Sequence, residues 1–294
     1  MPIRYSISER GIEFLNNFFT GWYHYKLWFF KFKTYDILID NLEKFVTEFG
    51  DEELKKEDIN QYKLSLKSEI VFTFFHLAEA LFSLLYYCRK SPFPLLEMKS
   101  IRADELYSYV QDEIITGKIT DEDIRFVFYN GIIDEEAQKE TIVSSIKFIR
   151  EFLRRVGERF LKYKDVYIEY KHGLRVVPAI ASFKLTPENV PDPKPMLERS
   201  GDAHIFITTE LLSKNGKDEI YKVRQTTVSF DYMLYLRLCT IIFQLLDNLF
   251  GMRQKKEKLK PGDQISTLIF DPAQLPTIFK EDPLSTFSYT VDLP

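Results

Sequence analysis

Residues 70–87 have the sequence IVFTFFHLAEALFSLLYY, and this stretch decides the predicted fold. Apolar side chains point in nearly every direction around a helix here, which is typical of a helix buried at the centre of a protein. The polar side chains of the surrounding segment fall on one narrow line: Glu69, Thr73, His76, Glu79 and Ser83. We predict one helix over about 56–89, ended by Pro92 and Pro94, in the middle of a helical bundle.

Other helices follow from apolar side chains spaced three and four residues apart. This pattern occurs in residues 35–49, in 134–163 and again in 231–252. The core stripe of the second of these helices is Ile142, Ile146, Ile149, Leu153, Val156, Phe160 and Tyr163. Residues 96–134 are acidic and mixed, which indicates shorter helices, one of them beginning at a capping box formed by Thr120 and Asp123.

The spacing changes after Gly173. Residues 175–185, 203–211 and 220–230 are rich in Val, Ile, Thr and Phe, and turn residues separate them, which predicts three antiparallel strands. The predicted fold class is therefore mainly α: a helical bundle with a small antiparallel β-sheet of about three strands inserted before the last core helix. We predict a single domain over 1–260 with the β insertion at about 174–230. Residues 261–294 are expected to form an irregular tail that packs back onto this domain.

The composition limits the classes of function. The chain has 294 residues, 45% of them hydrophobic, and a formal net charge of −4, which excludes a disordered chain and a surface that is basic throughout. Its two cysteines, Cys88 and Cys239, lie in apolar helical patterns and are expected to be free thiols. The sequence contains no P-loop, no dinucleotide-binding glycine motif, no Gly-x-Ser-x-Gly and no Cys-x-x-Cys, so no cofactor is predicted.

Membrane insertion is not expected. Residues 1–10 lack the apolar core of a secretory signal. Two apolar stretches, 70–87 and 232–250, approach the length of a membrane span, but each carries charged or polar side chains near its centre. A central charge costs about 3 kcal/mol on insertion scales. We therefore expect buried helices of a soluble protein, a cytoplasmic location and no membrane partner.

The most informative motif for function is Tyr170-Lys171-His172-Gly173-Leu174-Arg175, where the helical region ends and the strands begin. An aromatic residue followed by Lys-His-Gly at the end of a helix resembles the second half of the signature of HEPN-type helical domains. These are four-helix bundles found in RNA-cutting toxins, abortive-infection proteins and nucleotide-binding partners. The resemblance covers mainly residues 136–175. It implies a homodimer that binds RNA or a nucleotide, with His172 as the catalytic residue of a metal-independent ribonuclease.

The chain departs from that signature at its arginine. In HEPN-type domains an Arg precedes the His by five to seven positions, and here those positions are Tyr167, Val166 and Asp165. Arg175 lies on the opposite side of the His. We therefore expect a binding or regulatory protein, of a defence or stress system, without efficient nuclease activity. An ordinary helix end explains the same motif, because Gly is favoured just past a helix and cations are favoured in its last turn.

A basic helical face precedes this motif. Residues 147–164 carry seven basic side chains and two acidic ones, and the basic ones lie opposite the predicted core stripe. Such a face suits the phosphates of RNA, although a solvated helix surface has the same pattern. The predicted nucleic-acid-binding residues are Arg150, Arg154, Arg155, Arg159, Lys171 and Arg175.

Two further functions stay open. Glu169 and His172 form a carboxylate–imidazole pair three residues apart, and His76 and Glu79 form a reversed one, whereas a dinuclear bundle site needs two pairs in the same direction. No metal ligand is therefore assigned, although a metal-binding helical-bundle protein remains an alternative, and His76 and Glu79 are predicted to be a buried polar pair. His204 has no metal-ligand spacing around it. The other alternative is a protein–protein interaction module that uses the β-sheet and the proline-rich loop at 187–195.

Overall fold

The computed structural model describes residues 26–27, 56–88, 101–129, 135–171, 176–185, 197–215, 218–258, 267–281, 286 and 288–293. Within these residues the protein is mostly helical and has one four-stranded antiparallel sheet, which confirms the predicted fold class. The predicted helix at 35–49 and the proline-rich loop at 187–195 lie outside the described residues.

The chain divides into two compact units, each assembled from separate stretches of sequence. The first unit consists of the described residues up to 34, those from Thr73 to Tyr163 and those from Leu236 to Phe279. The second unit consists of the described residues from 35 to Phe72, those from Lys164 to Tyr235 and those from Lys280 onward. That 1–260 form one domain with an inserted sheet stays a prediction.

Helix α1 spans Lys56–Cys88, close to the predicted bounds. In the first unit it is buried on most sides, with Phe74, Phe75, Leu77 and Leu81 fully covered. The predicted burial of His76 and Glu79 is wrong, because both side chains are half-buried and lie on the least covered side of the helix. The buried polar side chains of this helix are instead Ser68, Thr73 and Ser83.

The first unit also contains the short helices that were predicted within 96–134. Helix α2 (Ala103–Tyr109) runs directly into a π-helix at Val110–Ile115. Helix α3 (Asp121–Tyr129) begins at the predicted capping box, in which the Asp123 amide donates to Thr120 Oγ1 at 3.1 Å and the Thr120 amide donates to Asp123 Oδ2 at 3.0 Å.

Helix α4 (Glu135–Lys162) turns its apolar stripe to the core of the first unit. The predicted core residues from Ile142 to Phe160 are all buried, and Tyr163 at the end of the stripe is half-buried. Gly157 lets this helix approach the π-helix closely, because a Cβ at this position would lie 3.1 Å from a methyl group of Val110.

A C-terminal segment packs onto the same unit. Helix α6 (Tyr232–Lys258) passes from the second unit into the first. Beyond it come residues 267–271, a 3₁₀ turn at Pro272–Gln274 and the short helix α7 (Leu275–Ile278). The prediction that 261–294 are irregular is therefore wrong for residues 272–278, where Asp271 caps the 3₁₀ turn by accepting from the Ala273 amide at 2.9 Å.

The second unit contains helix α5 (Lys164–Lys171) and the whole sheet. The strands are β1 (Val176–Leu185), β2 (Leu197–Asn215), β3 (Asp218–Ser229) and β4 (Ser288–Leu293), in the order β1-β2-β3-β4. Three of these strands were predicted, although β2 is longer than expected. The fourth comes from the C-terminal residues, where Tyr289 and Val291 alternate with Thr290 and Asp292 and complete the ladder beside β3.

Helices α1 and α6 contain stretches, Lys63–Cys88 and Tyr232–Met252, that are long and apolar enough to cross a membrane. Most residues of both apolar windows are buried inside the protein, 78% and 61% respectively. Core helices of soluble proteins have the same length and composition, so these two helices are weak evidence for a membrane span.

Candidate functional site

A basic groove lies along the C-terminal half of α4. It has a volume of about 430 Å³ and is lined by Arg154, Arg155, Glu158, Arg159, Lys162 and Phe279. All six residues belong to the first unit. The structure thus brings together three of the predicted nucleic-acid-binding residues, Arg154, Arg155 and Arg159, in one concave site.

The helix places three cations of the groove in a row. Arg155, Arg159 and Lys162 are separated by four and three residues, so they share one face of α4. At 1.5 Å of rise per residue, this row spans about 10 Å. A row of this length can contact more than one phosphate group of a ligand at the same time.

Arg154 lies beside this row, and carboxylates compensate its charge. Its Nε and Nη2 donate to the two oxygens of Glu151 at 2.9 and 2.7 Å, and its Nη1 donates to Glu158. The hydrogen bond from Arg154 is the main reason that the pKa of Glu151 is lowered to about 2, with a further contribution from Arg155. Glu151 therefore stays ionised throughout the physiological pH range and holds the Arg154 guanidinium in a fixed orientation.

Arg155 combines an ion pair with an aromatic contact. Its Nε donates to Glu151 Oε1 at 2.6 Å, and its guanidinium carbon lies 5.1 Å from the centroid of the Phe279 ring. This separation is within the range of a cation–π interaction. The two Nη groups of Arg155 make no hydrogen bond within the described residues, so they can donate to a ligand.

Phe279 reaches the groove because the C-terminal segment is anchored at several points. Asn248 on α6 accepts from the Leu268 amide at 3.1 Å and donates to the Phe128 carbonyl at 3.0 Å. Ser145 on α4 accepts from the Phe270 amide at 2.9 Å. The ring itself contacts Phe152, with the two centroids 5.6 Å apart. The aromatic wall of the groove is therefore fixed by the fold.

Comparison of the chain with protein-family models, with curated proteins and with solved structures finds no match.

The remaining predicted residues lie elsewhere. Arg150 pairs with Asp121 of α3 and does not line the groove. Lys171 is the last residue of α5 in the second unit, with its Nζ 4.5 Å from the centroid of Tyr167. His172 and Arg175 lie outside the described residues. The predicted helix end at His172 and Gly173 and a catalytic role of His172 both stay predictions.

The second unit contains a buried histidine that was not predicted from the sequence. His204 on β2 is 4% exposed, and its Nε2 lies 2.8 Å from Ser68 Oγ on α1. Ser68 donates its single proton to the Leu64 carbonyl at 2.9 Å, so we assign the imidazole proton to Nε2, which donates to Ser68. The other ring nitrogen, Nδ1, is buried and has no hydrogen-bond partner within the described residues.

The surroundings of His204 disfavour its charged form. The ring meets Phe72 and Phe230 edge-on, at centroid distances of 5.5 and 5.3 Å. Burial lowers the pKa of His204 to about 4, although nearby Asp202 opposes the change. Asp202 is itself paired with Lys67. His204 and Phe206 are two residues apart on β2, so they lie on the same face of the strand. This spacing was the signal in the sequence for a buried face at His204.

The described residues do not support the metal-binding alternative. Within the ranges described, no group of three or more His, Cys, Asp and Glu side chains could hold a metal ion. His76 and Glu79 both have other interactions and belong to the half-buried side of α1.

Proposed function

We propose that this protein binds RNA or a nucleotide through its phosphate groups, in the groove formed by α4 and Phe279. It would act as a HEPN-like binding or regulatory protein of the cytoplasm. The observation that carries this proposal is the row of Arg155, Arg159 and Lys162, which faces the same cavity as an aromatic ring. Phosphate oxygens are the usual partners of such arginine and lysine side chains.

The charge of the groove favours an anionic ligand. Four cationic side chains line it, together with one carboxylate, that of Glu158. Cations in the last turn of a helix are also favoured by the helix dipole, which explains Arg159 and Lys162 without any ligand. The dipole gives no reason for Arg155, which lies almost two turns before the helix end, or for the aromatic ring beside it.

The proposal includes no catalytic step. The resemblance to HEPN-type domains places the reaction on an Arg and a His, and the Arg is missing from the expected positions before His172. To test for residual activity, RNA cleavage by wild type and His172→Ala would be compared with and without EDTA. Cleavage that is lost in the variant and insensitive to EDTA would contradict our expectation of a protein without efficient nuclease activity.

Binding is tested by fluorescence anisotropy with a labelled RNA oligonucleotide. We expect Arg159→Gln and Lys162→Gln each to weaken binding several-fold and to reduce its dependence on salt, because each loses a phosphate contact. The matched control is Arg150→Gln, which removes the same charge from the same helix outside the groove. Equal weakening in all three variants would show that only the net charge matters, and no weakening in any of them would refute the groove.

The sheet supports a second candidate function, self-association. On one face, Val177, Ile207 and Val291 are 56%, 50% and 48% exposed. The strand register places them near one another, because Val177 pairs with Ile205 and because Ile207 and Val291 both pair with Gln225.

No charged side chain lies between them on this face, whereas Lys222 and Arg224 pair with Asp292 on the opposite face. An uncharged apolar sheet face can pack against an identical face without repulsion. We therefore propose a second copy of this chain as its occupant.

Sedimentation velocity tests self-association. We expect Ile207→Lys to shift a dimer towards monomer, because it places two charges in the contact. The matched control is Ile180→Lys, since Ile180 is more exposed, at 74%, but lies on the opposite face of the sheet. A wild-type monomer at all concentrations, or equal effects of both substitutions, would reject this candidate.

A further inference from the structure

Phe279 is in an unusual place for a phenylalanine. Its ring is half-buried and forms one wall of a groove whose other lining residues are all charged. The ring rests on Phe152, which is fully buried, and the part of its surface that stays exposed faces the groove. An aromatic surface between cations is the combination that binds a base next to its phosphate.

Hydrogen bonds hold the peptide group that precedes this ring at both its N–H and its carbonyl. The Phe279 amide donates to the Leu275 carbonyl at 3.0 Å, and the carbonyl of Ile278 accepts from Arg237 Nε on α6 at 3.1 Å. Further back, Phe270 stacks on Phe148 with centroids 5.1 Å apart. Since folding already orders the segment, a ligand does not pay the entropic cost of ordering it.

Arg155 adds a second planar group at the ring, with its guanidinium carbon over the ring and 5.1 Å from the ring centroid. A guanidinium plane stacks on bases as an aromatic ring does, and its ion pair with Glu151 fixes its position. Arg159 and Lys162 follow Arg155 along α4 towards the end of the helix. The cations proposed to contact phosphates therefore lie next to the aromatic surface.

We propose that Phe279 and Arg155 form a stacking site for one nucleobase, so that the groove selects nucleotides with an accessible base over phosphate chains in general. This inference rests on the proposed binding of RNA or a nucleotide and names what the site recognises beyond phosphate. Phe279 is then the residue that determines specificity. Arg155 stacks through its plane and donates to a phosphate through its Nη groups, and Arg159 and Lys162 supply the other phosphate contacts.

The test compares two ligands with the same phosphates. One is a single-stranded oligoadenylate and the other is an abasic oligonucleotide of equal length, both titrated against wild type and Phe279→Leu. Stacking is worth about 1–3 kcal/mol per base, so we expect wild type to bind the oligoadenylate at least about fivefold more tightly. Phe279→Leu keeps an apolar wall, and we expect it to remove this preference while the abasic affinity stays within twofold of wild type.

A second variant covers the case in which Phe279→Leu unfolds. Arg155→Lys keeps the charge but loses the planar group, and we expect it to reduce the preference for bases without changing the dependence on salt. Equal affinity of wild type for both ligands would overturn the stacking site, and the binding proposal would stand if Arg159→Gln still weakened both. Failure of wild type to bind either ligand would overturn both proposals.

Discussion

The burial of His204 makes the stability of the protein depend on pH. The ordinary pKa of histidine is 6.5, and in the folded protein burial lowers the pKa of His204 to about 4. Between these two values the unfolded chain binds a proton that the folded protein does not bind. Lowering the pH therefore favours unfolding, so the stabilisation is complete above pH 6.5 and is lost as the pH falls towards 4.

The magnitude follows from the interval between the two pKa values. At about 1.4 kcal/mol per pH unit, the protein loses about 3 kcal/mol of unfolding free energy over this range through His204 alone. A typical protein is stable by about 5–15 kcal/mol, so this loss is large. The protonated ring would have to place a new N–H at Nδ1, where the described residues offer no acceptor.

Urea unfolding followed by circular dichroism at several pH values between 7 and 4 measures this effect. Carboxylates also titrate in this range, so the informative quantity is the difference between wild type and His204→Gln. Glutamine can still donate to Ser68 but does not titrate. We expect wild type to lose about 3 kcal/mol more than the variant between pH 7 and pH 4.

The control is Ser68→Ala, which leaves the imidazole N–H without an acceptor and costs about 1–3 kcal/mol at pH 7, while the ring can still titrate. Parallel curves for wild type and His204→Gln would show that the histidine is not held neutral in the folded state, and the reasoning would fail.

Three further outcomes can be checked. Gly157→Ala is expected to lower the free energy of unfolding by about 1–2 kcal/mol through overpacking, whereas Gly251→Ala, with open space around it, should raise it by about 0.5–1 kcal/mol in the same urea assay. Asn248→Ala should cost about 2–3 kcal/mol because it leaves buried backbone groups without partners, with Thr240→Ala on the same helix as a mild control. Glu158→Gln should raise RNA affinity a few-fold in anisotropy titrations, and an unchanged affinity would contradict a role for its partner in binding.

Much of the fold could be predicted because its signals are local. The bounds of α1 and α4 follow from apolar spacing within each helix, and the capping box of α3 needs only Thr120 and Asp123. Strand β4 could not be predicted in the same way. The segment has only six residues and is flanked by prolines. It becomes a strand because β3, about 60 residues earlier in the chain, offers an unpaired edge.

The same difference between local and distant signals applies to the residues of the candidate site. The cationic row on α4 is visible in the sequence, since the spacing of Arg155 and Arg159 places them on one helix face. The ring of Phe279 comes from more than a hundred residues away and reaches α4 through contacts of Asn248 and Ser145 that no local pattern encodes. The spacing of residues around His204 does not reveal its environment, because that environment arises from a helix and a strand that are distant in sequence.

The pairing of Arg154 decides how strongly salt affects binding. If its two carboxylate partners keep it from the ligand, Arg155, Arg159 and Lys162 make the phosphate contacts. Three contacts to a single strand give a slope of about −2 in log affinity against log salt, or a loss of about 20-fold between 50 and 200 mM.

Glu158→Gln removes one of those partners. If Arg154 then contacts the ligand, the slope becomes about −3, and the gain in affinity is greatest at low salt. A variant that binds more tightly with an unchanged slope would show instead that Glu158 acts only through long-range repulsion. The slope thus distinguishes a carboxylate that occupies the place of a phosphate from one that merely lowers the local charge.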